Sequence, residues 1–311
     1  MSSSAFPPGR GPNLFILGAP KCGTTSMAAY LQQHPEVAVS EPKETRYYGP
    51  YTDVASMTPE AYCESMAHKP GARYRCDATP AYLSDSGTVA RIAAENPDAR
   101  YIVMVRDQAD LAFSLHQEFR LSGSETIADF EEAWRACDAR RAGKRVPVTC
   151  GDARRLLYDH RASVGKQLAE VLQIIPRERI MIIEMNALRA DIAAVWEALC
   201  GFLEIEHCTD VDFTAQNLRK TIRFPILLQA SAMAFRLKRR LGIRGGMGVG
   251  RALKSAAAPV ASERESLSPE LRAELQTFFA EDSRLLEQAM LSGPHLRVVD
   301  GKVAGQDIDH G

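Results

Sequence analysis

Gly18-Ala19-Pro20-Lys21-Cys22-Gly23-Thr24-Thr25-Ser26 is the stretch that decides the fold class of this 311-residue chain. Before it, Leu14-Phe15-Ile16-Leu17 is a short continuous apolar run closed by Gly18, the pattern of a buried strand. After it, Met27, Tyr30 and Leu31 recur at helical spacing until His34-Pro35 stops the pattern. A strand, a glycine-bounded loop and a helix together open an α/β domain. The alternation continues downstream. Tyr101-Ile102-Val103-Met104-Val105 reads as a second buried strand, followed from about Asp110 by a helix with Leu111, Leu115 and Phe119 on one face. A helix carrying Val164, Leu168, Val171, Leu172 and Ile175 precedes a third strand at 180–183, and another carries Ile192, Val195, Trp196, Leu199 and Leu203. Near the end, Ser268-Pro269 caps a helix bearing Leu271, Leu275, Phe278 and Leu286. Strands alternating with helices predict a parallel sheet flanked by helices on both faces.

The bulk composition bounds the rest. Hydrophobic residues make up 45% of the chain and charged residues 25%, an ordinary globular balance, and the formal net charge of −1 points to no nucleic-acid partner. The seven cysteines are scattered, with no CxxC pair, so neither a disulfide framework nor a zinc site is expected. With no signal-peptide pattern and no apolar run of about 18 residues, the expected location is cytoplasmic. The domain reading is a flexible N-terminus at 1–12, a single domain at 13–290 and a loose C-terminal tail at 291–311. The stretches 49–73 and 120–152 read as insertions over the sheet edge.

The glycine spacing of the loop imitates a P-loop, but a Walker loop carries its lysine directly after the second glycine. Here that position is Thr24, and the lysine has moved inside the loop to Lys21. Backbone N–H groups at the helix start, with the hydroxyls of Thr24, Thr25 and Ser26, still suit a phosphate. Lys21 then reaches a different part of the ligand.

At this point the chain resembles the sulfotransferases that use 3′-phosphoadenosine 5′-phosphosulfate (PAPS). Their 5′-phosphosulfate loop has the form Pro-Lys-x-Gly-Thr-Thr-Ser, matched here by Pro20, Lys21, Cys22, Gly23, Thr24, Thr25 and Ser26. Their 3′-phosphate element is a buried strand ending in arginine, with a serine about eight residues on; YIVMVRDQADLAFS supplies Arg106 and Ser114. The stretch SEPKETRYYG at 40–49 resembles the Lys-Glu-x-His-Phe-Phe segment of heparan-type and bacterial carbohydrate sulfotransferases. The resemblance implies Glu44 as general base, after Lys43, with Glu41 as its nearest competitor. Tyr47 and Tyr48 replace the aromatic pair and Arg46 replaces the histidine. DATPAYL at 77–83 resembles a family segment lining the acceptor side, with Asp77 in place of the usual glutamate and Ala78 where the animal enzymes carry lysine.

These matches imply PAPS as donor, PAP as product, no metal, and a glycan or small-molecule acceptor. Lys21 and Glu44 are the expected catalytic residues; Asp77, Tyr47 and His116 are candidates for contact with the acceptor. His116 lies about 200° around the helix from Ser114, which favours a structural or surface role. The segment 213–262 holds ten Lys or Arg and no Asp or Glu. It reads as a solvated basic face, as a contact for the 3′-phosphate and an anionic acceptor, or as a peripheral contact with an anionic membrane. The glycine-rich stretch 242–251 within it reads as a loop closing over the nucleotide. Two rival readings stay open: a P-loop kinase or NTPase using Asp107 as a Walker B carboxylate, and a catalytically inactive nucleotide-binding module.

Overall fold

A computed structural model describes residues 6, 11–49, 57–214, 266–299 and 302–305. The basic segment lies outside the described residues apart from Phe213 and Thr214, and so does most of the N-terminal stretch 1–12. Phe6, within that stretch, is buried against the rings of Tyr47 and Tyr62.

The chain divides into two compact units. The first comprises 1–108, 163–217 and 278–311 and holds every described strand. Its elements are β1 (Leu14–Gly18), α1 (Thr24–Gln33), β2 (Val37–Val39), α2 (Pro59–Glu64), β3 (Tyr74–Asp77), α3 (Ser86–Glu95) and β4 (Arg100–Val105). α4 (Gln108–Leu121) starts at the boundary between the units. α5 (Phe130–Arg135), α6 (Cys137–Arg141) and α7 (Tyr158–Ala162) belong to the second unit. The first resumes with α8 (Val164–Val171), β5 (Ile180–Glu184), α9 (Met185–Ala190) and α10 (Ile192–Leu203). α11 (Pro269–Phe278), α12 (Ala280–Leu291), β6 (His295–Val299) and β7 (Lys302–Gly305) complete the described chain.

Among the described residues the sheet has seven strands in the order β2-β3-β1-β4-β5-β6-β7, parallel except for the last pair. β1 is buried at all five positions, and β4 and β5 at all but one end residue. That is why each reads as an unbroken apolar run: central parallel strands are covered on both faces. β2 and β3 were not legible in this way. β2 has three residues, and β3 mixes Arg75 and Asp77 with Tyr74 and Cys76.

The loose tail expected from 291 gives way to β6 and β7, which extend the sheet. Their pairing runs from Val299 with Lys302 to Leu296 with Gly305. Asp300-Gly301 between two valine-bearing runs is a hairpin signal in the sequence that would have revealed them. The helix capped at Ser268 is also two: Ser268 Oγ accepts from the Leu271 amide at 3.1 Å, and α11 ends before Phe279.

The strand order fixes where a ligand binds. From β1 the chain moves to one side of the sheet to build β2 and β3, then crosses to the other side of β1 for β4. The carboxyl ends of β1 and β4 therefore flank a topological switch point, the place where open α/β sheets bind ligands.

The second unit is organised around a buried ion pair. Arg140 Nη2 donates to Glu125 Oε2 at 2.7 Å with both side chains fully buried. Tyr158 donates to the same oxygen at 2.7 Å, and the amides of Thr126 and Ile127 donate to Oε1. Removing one partner of such a pair costs about 3–5 kcal/mol because the other charge stays buried. No described helix is long and apolar enough to cross a membrane.

Candidate functional site

The loop after β1 is tied down at both ends. The Ala19 amide donates to Met104 O at 2.7 Å, joining β1 to β4 where both strands end. The first helical bond of α1 runs from the Met27 amide to Gly23 O at 3.1 Å. The amides of Thr24, Thr25 and Ser26 thus belong to the helix start, where no side chain caps the end.

Between these ties the backbone curls. Lys21 has φ 67° and Gly23 has φ 89°, both left-handed. For a non-glycine residue that conformation costs roughly 1–2 kcal/mol. It brings successive N–H groups onto one concave side, an anion-binding shape. At Gly23 the constraint is the positive φ and not space, since an added Cβ would make only ordinary contacts, 3.4 Å from Met104 Cε and 3.7 Å from Leu188 Cδ1.

Lys21 is exposed, whereas Arg106, directly after β4, is only 8% exposed. Arg106 Nη1 donates to the carbonyl of Lys21 at 3.3 Å. The two segments singled out in the sequence, 85 residues apart, therefore touch at the switch point, where the Arg106 guanidinium rests on the backbone of the loop that carries Lys21. Cys22 sits fully buried beneath the loop, and burial pushes its thiol up to about 12 against the opposing pull of Arg106 and Lys21. It is a packing residue at neutral pH, not a nucleophile.

Glu44 lies in the segment following β2, with a side chain 39% exposed. Its Oε1 is 3.3 Å from Lys43 Nζ and its Oε2 is 3.5 Å from Arg46 Nη2. The carboxylate thus sits between two cations.

The three candidate acceptor contacts lie in different surroundings. Asp77 is fully buried. Its Oδ2 accepts from Thr45 Oγ1 at 2.7 Å, Tyr62 OH at 2.7 Å and Tyr82 OH at 3.0 Å, and its Oδ1 accepts from Thr79 Oγ1 at 2.7 Å. Burial pushes its carboxyl above the ordinary aspartate value, opposed by those four hydroxyls. Tyr47 has one ring face stacked on Tyr62, with centroids 4.1 Å apart and planes 6° apart, so that face is closed to an acceptor ring. His116 is fully buried in the second unit, its Nε2 is 3.0 Å from Ile127 O, and its ring packs on Phe130 and Tyr158. Ser114 lies half-buried on α4, also in the second unit.

One link in the site is not readable from local sequence. The turn Tyr82–Ser84 sets Leu83 so close to Gly18 that a Cβ on Gly18 would lie 2.6 Å from Leu83 Cβ. The neighbouring Tyr82 hydroxyl accepts from the Tyr48 amide at 3.3 Å. One short turn thus touches both the loop after β1 and the segment carrying Glu44.

Comparison with known proteins agrees with this geometry. A model of the sulfotransferase domain family matches residues 11–226, which run from just before β1 to beyond α10. The chain belongs to the sulfotransferase domain family. Members of that family are enzymes that use PAPS as donor. A stretch of 103 residues is 28% identical to a membrane-associated sulfotransferase of Dictyostelium discoideum, covering 33% of this chain and 22% of that protein. The match thus spans about a fifth of that relative's length. The crystal structure of a sulfotransferase from Alicyclobacillus acidocaldarius superposes with a TM-score of 0.66 at 23% identity, over 89% of this chain and 95% of that one. The likeness shows a shared fold, the mostly parallel, helix-flanked sheet of a sulfotransferase.

Proposed function

We propose that this chain transfers the sulfuryl group of PAPS to a hydroxyl or amine of a carbohydrate, glycolipid or small natural product. The observation that supports the reading is the hydrogen bond from Arg106 to the carbonyl of Lys21, because it joins the candidate 3′-phosphate residue to the candidate 5′-phosphate loop. The amides and hydroxyls of Thr24, Thr25 and Ser26 hold the 5′-phosphate. Arg106 holds the 3′-phosphate and supplies a planar fork for its oxygens.

Chemically the reaction is a displacement at sulfur. The acceptor oxygen or nitrogen forms a new bond to sulfur while the bond from sulfur to the phosphate oxygen breaks, and PAP leaves with that electron pair. Lys21 stabilises the negative charge that develops on the leaving oxygen. The acceptor proton passes to Glu44, which lies between Lys43 and Arg46. Lys43 and Arg46 also favour an acceptor bearing negative charge. Seven free cysteines support a cytoplasmic location. The basic segment 213–262 supports peripheral contact of this chain with an anionic membrane.

The test is transfer from radiolabelled PAPS to separate pools of glycans, lipid-linked sugars and phenols, run alongside thermal shifts with PAP and with ATP plus magnesium. Stabilisation by PAP and labelling of one pool are expected. The Glu44→Gln variant is expected to lose about 10²–10⁴-fold in transfer while PAP affinity holds. Stabilisation by ATP with magnesium and not by PAP would instead identify a kinase or NTPase. PAP binding with no transfer, insensitive to Glu44→Gln, would identify an inactive module.

A further inference from the structure

The four hydroxyls around Asp77 do more than neutralise a buried charge. Three of them also accept from backbone amides. Thr79 Oγ1 accepts from the Arg46 amide, Thr45 Oγ1 from the Tyr47 amide and Tyr82 OH from the Tyr48 amide, each at 3.3 Å. These are three consecutive amides, and they directly follow the residue pair Glu44-Thr45. Each hydroxyl has a single hydrogen, which it gives to Asp77, and that leaves its lone pairs facing the amides. Arg46, in the centre of the turn, is held at φ 54°, a conformation that an arginine does not adopt unaided.

We infer that Asp77 is a positioning residue for Glu44: by orienting the hydroxyls of Thr45, Thr79 and Tyr82, it fixes the backbone turn that carries the base. This rests on the reading of Glu44 as the base. It adds that the base is aimed by a residue that touches neither donor nor acceptor. The same network bears on the donor side, because Tyr82 adjoins Leu83, which packs on Gly18.

Asp77→Asn is the direct test. The amide nitrogen of Asn presents hydrogens where a carboxylate oxygen had accepted, so the facing hydroxyls must turn and their lone pairs leave the amides. The full chain is followed with PAPS and water as the acceptor probe, a reaction that yields PAP, sulfate and a proton. Hydrolysis is expected to fall about 10–10²-fold, the scale of a 1 Å misplacement of a catalytic group. Hydrogen exchange at the amides of Arg46, Tyr47 and Tyr48 is expected to quicken about tenfold. PAP affinity by calorimetry should stay the same.

The deciding comparison is the Glu44→Gln background. If Asp77 acts through Glu44, Asp77→Asn costs no further rate there. Should the same factor be lost in both backgrounds, or should the three amides exchange as before, Asp77 is merely structural and the inference is wrong. If Glu44→Gln alone leaves hydrolysis unchanged, the base reading itself fails and takes the inference with it. The two failures are thereby told apart. Where Asp77→Asn does not fold, Thr45→Val removes one hydroxyl at constant shape and Thr45→Ser restores it. Loss in the first and recovery in the second, both in rate and in Tyr47 exchange, support the inference; no change in either overturns it.

Discussion

The loop after β1 and the turn after β2 hold their catalytic candidates in opposite ways. The donor loop is a backbone device: two left-handed residues, a glycine at the helix start and a carbonyl fixed by Arg106. The turn bearing Glu44 is a side-chain device, with three amides held by hydroxyls that one buried carboxylate orients. A backbone device tolerates change in most of its side chains and fails when its glycines or its cation change. A side-chain device spreads its dependence over residues that never meet the substrates. The difference predicts two kinds of mutational sensitivity within one site.

The comparison breaks most visibly at Lys21. Its carbonyl accepts from Arg106, and in the proposed reaction its ammonium faces the leaving oxygen, so Lys21→Ala should remove the charge and keep the carbonyl tether. Single-turnover consumption of PAPS should slow about 10²–10³-fold, the scale of one lost transition-state donor. PAP affinity should fall by a smaller factor. If Lys21→Ala cost no more than Asp77→Asn, the donor loop would not carry the larger share of the chemistry. Arg106→Ala sharpens the same point. A charge-assisted hydrogen bond contributes about 1.5–3 kcal/mol, so PAP should bind roughly 10–10²-fold more weakly. An analogue lacking the 3′-phosphate should lose much less. Equal losses for both ligands would mean that Arg106 acts by tethering Lys21 and not by holding the phosphate.

The two devices also differ in how far the sequence reveals them. Lys21, Gly23 and the Thr24–Ser26 hydroxyls sit within nine residues, and Arg106 ends a strand whose five apolar residues announce it. Both are local patterns, and both are found where the fold places its switch point. The core of the sheet was legible for the same reason, since β1, β4 and β5 are continuous apolar runs. The hydrogen-bond network around Asp77 was not legible. Its partners are Thr45, Tyr62, Thr79 and Tyr82, spread over 37 residues, and no spacing rule links a strand end to hydroxyls so dispersed. His116 shows the converse. Its helix angle relative to Ser114 argued against a place in the site, and the burial of its ring between Phe130 and Tyr158 accounts for it. The short strands β2 and β3 escaped because three or four residues carry too little periodicity to stand out from a loop; the hairpin of β6 and β7 is announced by its Asp-Gly turn and not by periodicity.

Gly18 is where the two devices touch, and it carries the smallest of the expected effects. A methyl group there would meet Leu83 Cβ at 2.6 Å, so Gly18→Ala must displace the turn Tyr82–Ser84. Overpacking of this kind costs about 1–3 kcal/mol, measurable as a lower midpoint in urea. Gly201 is the control. It lies within α10 with nothing within 4 Å of its added Cβ, so Gly201→Ala should stabilise by about 0.5–1 kcal/mol through helix propensity. The informative readout is exchange at the Arg46, Tyr47 and Tyr48 amides. A shift of Leu83 carries Tyr82 with it, and the Tyr82 hydroxyl serves both Asp77 and the Tyr48 amide. Gly18→Ala should therefore quicken exchange at Tyr48 more than at Arg46, whose acceptor is Thr79. Uniform exchange across the three amides would show that the donor loop and the base-bearing turn are independent, joined by packing and not by a shared hydrogen bond.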